Sequence, residues 1–214
     1  MKTDFDFFIV GSKEPSIIIF WLVMSDEVLC MGDIYSQLIE KTGREDFCVY
    51  PIVVKNWNAD LSPWEYNTGK RIFEGKATNF FDSLLKEYKM QREKYPKARF
   101  VLGGYSMAGL FALWSGYKTD VFDTIVSGSG SLWFPGFVEK YKDYKIKAES
   151  VYISLGNKEK KCRDRMMAEI ENRTVCLFES LECNNKKFVM EKGNHFTECK
   201  ERMIRGFVWA LNGD

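Results

Sequence analysis

A serine hydroxyl is a weak nucleophile near neutral pH, so a serine that does chemistry needs a base in reach and a backbone that holds it clear. Ser106 has the setting for this. It stands in Gly104-Tyr105-Ser106-Met107-Ala108, after the apolar run Arg99-Phe100-Val101-Leu102 and before Leu110-Phe111-Ala112-Leu113-Trp114. The first run reads as a buried strand and the second as a helix with an apolar inner face. A strand that turns sharply into a helix forces the residue at the bend into a strained conformation and lifts its side chain above the sheet. Residues two positions to either side must then be small. Gly104 and Ala108 meet that demand, which is the pattern of a nucleophile elbow with Ala108 in place of the second glycine. A serine that merely caps a glycine-rich strand–helix turn would look the same locally, so the rest of the chain has to decide.

The base can only be His195 if it is an imidazole, because the sequence holds one histidine. His195 follows the apolar run Lys187-Phe188-Val189-Met190, at the carboxyl end of what reads as the last strand, where open α/β sheets carry their chemistry. A carboxylate is then needed to hold the imidazole tautomer. Glu159, just beyond the strand Val151–Leu155, is the first choice. Asp164 serves if the loop extends, and Asp123 lies at the wrong end of its strand. For the developing oxyanion, the backbone N–H of Met107 opens the helix after the elbow. A second N–H is expected at Ser25, with Met24 or Asp26 one position away. Trp57, Trp64 and Trp133, with Phe134, all fall in loops after strands, where they would either form an apolar pocket for an acyl or aryl group or pack into the core.

Elements must exist to bring these groups together. Strands are predicted at Phe5–Val10, Ile17–Val23, Phe47–Val54, Arg99–Leu102, Thr124–Ser127, Val151–Leu155 and Lys187–Met190. Between them come a short helix around Ile34 and Leu38 closed near Gly43, a helix capped by Thr78 and ending before Pro96, the elbow helix, one helix from about Cys162 to Leu181, and a closing helix carrying Met203, Ile204, Phe207 and Leu211. Pro51 marks its strand as an edge, a bulge or an irregular start. The stretch from Lys55 to Gly75 reads as a long functional loop. Alternating strands and helices predict a doubly wound, mostly parallel sheet of about seven strands, as one α/β domain over 1–214.

Composition narrows the partners. Basic and acidic side chains number 31 and 30, a net charge of +1, which supplies no broad electrostatic pull toward nucleic acid or an anionic membrane. The longest apolar run, Ser16–Met24, is too short to span a bilayer. No signal-peptide pattern opens the sequence, so a cytoplasmic location is expected. Six cysteines occur without a C-x-x-C pair, and reduced thiols are the expected state. A homo-oligomer is left open.

With these residues in hand, the sequence resembles the esterase branch of the α/β-hydrolases that includes enterochelin esterase-like and esterase D-like proteins. The likeness runs through 56–64, Gly104–Gly109, Ser129–Trp133, Ser154–Glu159 and Gly193-Asn194-His195-Phe196. It implies an α/β-hydrolase fold without a large lid and a serine carboxylesterase with no metal or organic cofactor. It also implies an open site and a small-molecule ester as substrate. The implied triad is Ser106, His195 and an acid in the 156–159 region. Position 157 is asparagine, which leaves Glu159 or a Ser–His dyad. The same residues would equally serve acyl transfer or peptide cleavage, and an inactive copy of the fold would be a binding module.

Overall fold

The computed structural model describes residues 9–213. Seven strands form the main sheet: β1 (Val10–Gly11), β2 (Ile17–Val23), β3 (Phe47–Val53), β6 (Arg99–Tyr105), β7 (Thr124–Gly128), β8 (Ser150–Gly156) and β9 (Asn185–Glu191), in the order β1-β3-β2-β6-β7-β8-β9. Only β1 runs antiparallel. Most of the strand expected at Phe5–Val10 lies outside the described residues, which show its end at Val10–Gly11. Pro51 falls within β3, in register with Trp21 of β2, and among the described residues the outer strand pairs with Cys48 and Val49.

β2 is apolar at every position because it is covered on both faces. Ile18, Phe20 and Leu22 join the layer that holds α3 (Ala77–Lys94) and α4 (Met107–Lys118). Ile17, Ile19, Trp21 and Val23 join the layer that holds α1 (Met31–Thr42) and α8 (Cys199–Asn212). Gly43 ends α1 in a left-handed conformation (φ +67°), as its position in the sequence suggests. Among the described residues no helix is long and apolar enough to cross a membrane.

Three local expectations need correction. Helix α3 starts at Ala77 with Lys76 at its N-cap, so Thr78 lies inside the first turn and caps nothing. The stretch 55–75 is not irregular. It carries the single turn α2 (Trp57–Asp60) and the hairpin of β4 (Glu65–Asn67) and β5 (Ile72–Glu74), which supply their own backbone hydrogen bonds. The helix expected from Cys162 to Leu181 is broken into α6 (Arg165–Ala168) and α7 (Ile170–Ser180), and a 3-10 turn (Glu159–Lys161) precedes it. Asp164, whose carboxylate accepts the N–H groups of Met166 and Met167, sets the start of α6, and the break comes at Glu169, whose N–H donates to Met166 O (3.4 Å). The remaining helix, α5 (Phe137–Tyr141), buries Phe137, Val138 and Tyr141.

Candidate active site

The parallel strands deliver their carboxyl ends to one edge of the sheet, and Ser106, Glu159 and His195 meet there. Ser106 is the residue between β6 and α4, with φ +59° and ψ −120°, a conformation that costs a non-glycine residue about 1–3 kcal/mol. Surrounding hydrogen bonds hold it. Its N–H donates to Gly128 O (2.9 Å), and its carbonyl accepts from Leu110 N–H (3.1 Å) and Ser131 N–H (3.0 Å). The small neighbours are needed for a specific reason. A Cβ placed on Gly104 would lie 2.5 Å from the Cβ of Ala108, so the two positions touch across the bend.

His195 Nε2 lies 3.0 Å from Ser106 Oγ, and its Nδ1 lies 2.8 Å from Glu159 Oε2. The pair of distances fits the tautomer in which Nδ1–H donates to the carboxylate and the serine O–H donates to Nε2. Asp164, the other carboxylate considered, spends its side chain on the cap of α6. Asn157 has a supporting place in the loop: its Oδ1 accepts the N–H of Gly193 at 3.1 Å.

Glu159 is almost wholly buried, its side chain 4% exposed. Burial pushes its carboxyl upward. The hydrogen bond and charge of His195, the N–H of Gly156 (2.7 Å) and the hydroxyl of Ser129 (2.8 Å) outweigh that and hold it below the usual carboxylate range. Arg202, on α8 and fully buried, was not anticipated. Its Nη1 donates to Glu159 Oε1 (3.2 Å), Ser129 Oγ (3.0 Å) and Tyr105 Oη (3.1 Å). Its Nη2 donates to the carbonyls of Lys192 (3.2 Å) and Asn194 (3.0 Å), on the loop that carries His195. Tyr105 in turn donates its phenol to His195 O at 2.7 Å, and burial raises its pKa. The run Gly128-Ser129-Gly130-Ser131, small residues at a strand's carboxyl end, was a readable signal for Ser129 and Ser131. Arg202 gave no such signal, since it merely adjoins apolar positions of a helix.

Ser106 and His195 stand between two cavities, of about 270 and 300 Å³. Trp57 lines both. Trp133 and Met107 line the first, and Met24 and Tyr105 the second. Trp64 does not belong to this site. Its Nε1 donates to Pro135 O (3.1 Å) and its ring packs on Phe134 and Phe137, so it is a structural residue behind the pocket wall. Phe134 is fully buried as well. The N–H of Met107 is the first of α4, one of the donors that a helix start leaves without an intrahelical partner. In the loop after β2, Met24 gives its N–H to Glu27 Oε2 at 2.7 Å, which takes it out of contention as an oxyanion donor. Ser25 is exposed and lines neither cavity, and its N–H remains that loop's candidate.

No protein-family model matches the sequence, and no curated protein matches it at the level of sequence. Solved structures do match in shape. A siderophore hydrolase, EstA from Aspergillus nidulans, is similar with a TM-score of 0.68 at 16% identity, over 94% of this chain and 83% of that one. The BES protein from Bacillus cereus is similar with a TM-score of 0.64 at 20% identity, over 93% and 84%. A dienelactone hydrolase from Anabaena variabilis gives 0.61 at 10% identity, over 96% and 88%. Strand order and these likenesses agree: the chain has the α/β-hydrolase fold, without a large lid over the cleft among the described residues.

Proposed function

We propose that the protein is a serine esterase of the enterochelin esterase-like and esterase D-like branch, working through an acyl-enzyme. The observation that carries this is the chain of contacts from Ser106 Oγ through His195 to Glu159, at 3.0 and 2.8 Å. Ser106 attacks the ester carbonyl as its proton passes to His195 Nε2. The oxyanion that forms meets the N–H of Met107 and that of Ser25, donors whose loss costs about 3–4 kcal/mol each in such sites. His195 returns the proton to the departing alcohol, and Glu159 stabilises the imidazolium meanwhile. Water then repeats the sequence on the acyl-enzyme, with His195 as base again. Trp57 and Trp133 form the apolar wall for the ester's organic part. Hydrolases among the similar structures support the reaction type.

A fluorophosphonate probe tests the proposal. One adduct at Ser106 is expected by intact mass and peptide mapping, absent in Ser106→Ala and strongly reduced in His195→Gln. A folded protein that stays unlabelled would overturn it.

A further inference from the structure

The first cavity contains more than the proposed mechanism uses. Its walls are apolar at Trp57, Phe73, Trp133 and Ile170, while its polar groups fall into two sets. Ser106, His195, Glu159, Ser129 and Ser131 are bonded to one another. Arg71 and Asn58 are not. Among the described residues the Arg71 guanidinium and the Asn58 side-chain amide have no hydrogen bond or ion pair. The cavity's only carboxylate, Glu159, is turned to His195, Ser129, Gly156 and Arg202.

The backbone that carries the exposed Arg71 side chain is fixed by the hairpin. Arg71 closes the β4–β5 turn, where its N–H donates to Thr68 Oγ1 (2.9 Å) and its carbonyl accepts from Thr68 N–H (3.0 Å). The same hairpin is anchored by Phe73, buried edge-on against Trp133 and Phe134. Asn58 projects from α2, which packs on β5. A planar guanidinium and an amide donor lining the same cavity as these apolar walls match a carboxylate on a short hydrocarbon stem. A neutral acyl chain would fill the same space and leave both donors idle.

Resting on the esterase reading above, we propose that this cavity selects esters bearing an anionic group, with Arg71 as the residue that recognises it. The anion can sit on the acyl or the alcohol half, and paired substrates separate the two. Monoethyl glutarate is compared with ethyl pentanoate for the acyl side, and 4-acetoxybutanoate with butyl acetate for the alcohol side, with hydrolysis followed by pH-stat. In one pair the anionic ester should show kcat/KM about 10- to 100-fold above its neutral isostere, the range of one charge-assisted contact. That ratio should fall toward unity in Arg71→Gln, remain largely in Arg71→Lys, and shrink as salt rises. Ratios near one in both pairs, or a ratio that Arg71→Gln leaves intact, would overturn the inference while sparing the esterase reading. If Ser106 takes no fluorophosphonate and no ester is cleaved, the esterase reading fails. Calorimetric titration of the Ser106→Ala protein with monoethyl glutarate and ethyl pentanoate then decides the anion site alone. A tighter Kd for the anion that disappears with Arg71→Gln supports it, and equal affinities refute it.

Discussion

The assignment of Glu159 over Asp164 predicts sharply different fates for two substitutions. Glu159→Gln keeps shape and volume, so its effect can be worked out atom by atom. At the Oε1 position three donors converge: Gly156 N–H at 2.7 Å, Ser129 O–H at 2.8 Å and Arg202 Nη1 at 3.2 Å. They require an oxygen there, which leaves the glutamine NH2 facing His195 Nδ1, 2.8 Å away in the native protein. Nδ1 must then accept, the ring proton moves to Nε2, and Nε2 loses the lone pair that takes the Ser106 proton. The wrong tautomer costs about 10⁴-fold in kcat in a triad of this kind, about 5 kcal/mol. Asp164→Ala, in contrast, removes a helix cap worth about 1 kcal/mol of stability and should leave kcat within about twofold. Steady-state hydrolysis of a 4-nitrophenyl ester, with circular dichroism to check folding, reads both. A folded Glu159→Gln variant within tenfold of wild type, or a large loss in Asp164→Ala, refutes the reasoning.

Acid stability should follow the same carboxylate. Glu159 titrates below its unfolded value, so its stabilisation is complete above the ordinary carboxylate pKa and is lost as pH falls through the lowered folded one. Calorimetric Tm measured from pH 7 downward should drop below about pH 4.3, with a shallower slope in Glu159→Gln, and parallel slopes would contradict this. At the elbow, Gly104→Ala places a methyl 2.5 Å from the Cβ of Ala108 and should destabilise by about 1–3 kcal/mol in urea unfolding. Adding Ala108→Gly should recover part of that loss, although alone it costs about 1 kcal/mol of helix propensity. The six cysteines are free thiols, with Cys162 and Cys176 exposed and Cys48 buried, its thiol pushed up to about 12 by burial. A disulfide reagent should therefore react fast with the first two and reach Cys48 only after denaturation.

Legibility varied with how local the determining physics is. The bend at Ser106 was readable because strand, bend and helix are contiguous in sequence, from Arg99 to Lys118, and the bend admits only small neighbours at Gly104 and Ala108. The six parallel strands of the main sheet were readable from apolar runs, with β2 the clearest because two covered faces leave no polar position. Ser106 and His195 were singled out by the rule that places chemistry at the carboxyl ends of parallel strands, and they lie 3.0 Å apart. Trp64 went astray for a different reason. Residues after a strand share an end of the sheet, but whether a ring faces the cleft or the layer behind it depends on partners such as Pro135 and Phe137, far away in sequence. The start set by Asp164 and the break at Glu169 were missed because apolar spacing continues across both.

Arg202 shows why part of the site was invisible. A guanidinium at 0% exposure beside a carboxylate at 4% is expensive, since removing two charges from water costs several kcal/mol each and their attraction only roughly repays it. Its Nε also lies buried without a partner, a further cost. Stability alone gives no reason to keep such a group, and well-packed apolar side chains would serve as well. What it does supply is geometry. One rigid fork holds Glu159 from one side and the carbonyls of Lys192 and Asn194 from the other, fixing the acid and the loop of His195 relative to each other. Tyr105 extends the bracing from the elbow strand to His195 O, so the three members of the proposed triad, drawn from three separate loops, share one buried brace. That brace depends on distances between elements and not on spacing along the chain, so it became apparent only once the sheet had assembled.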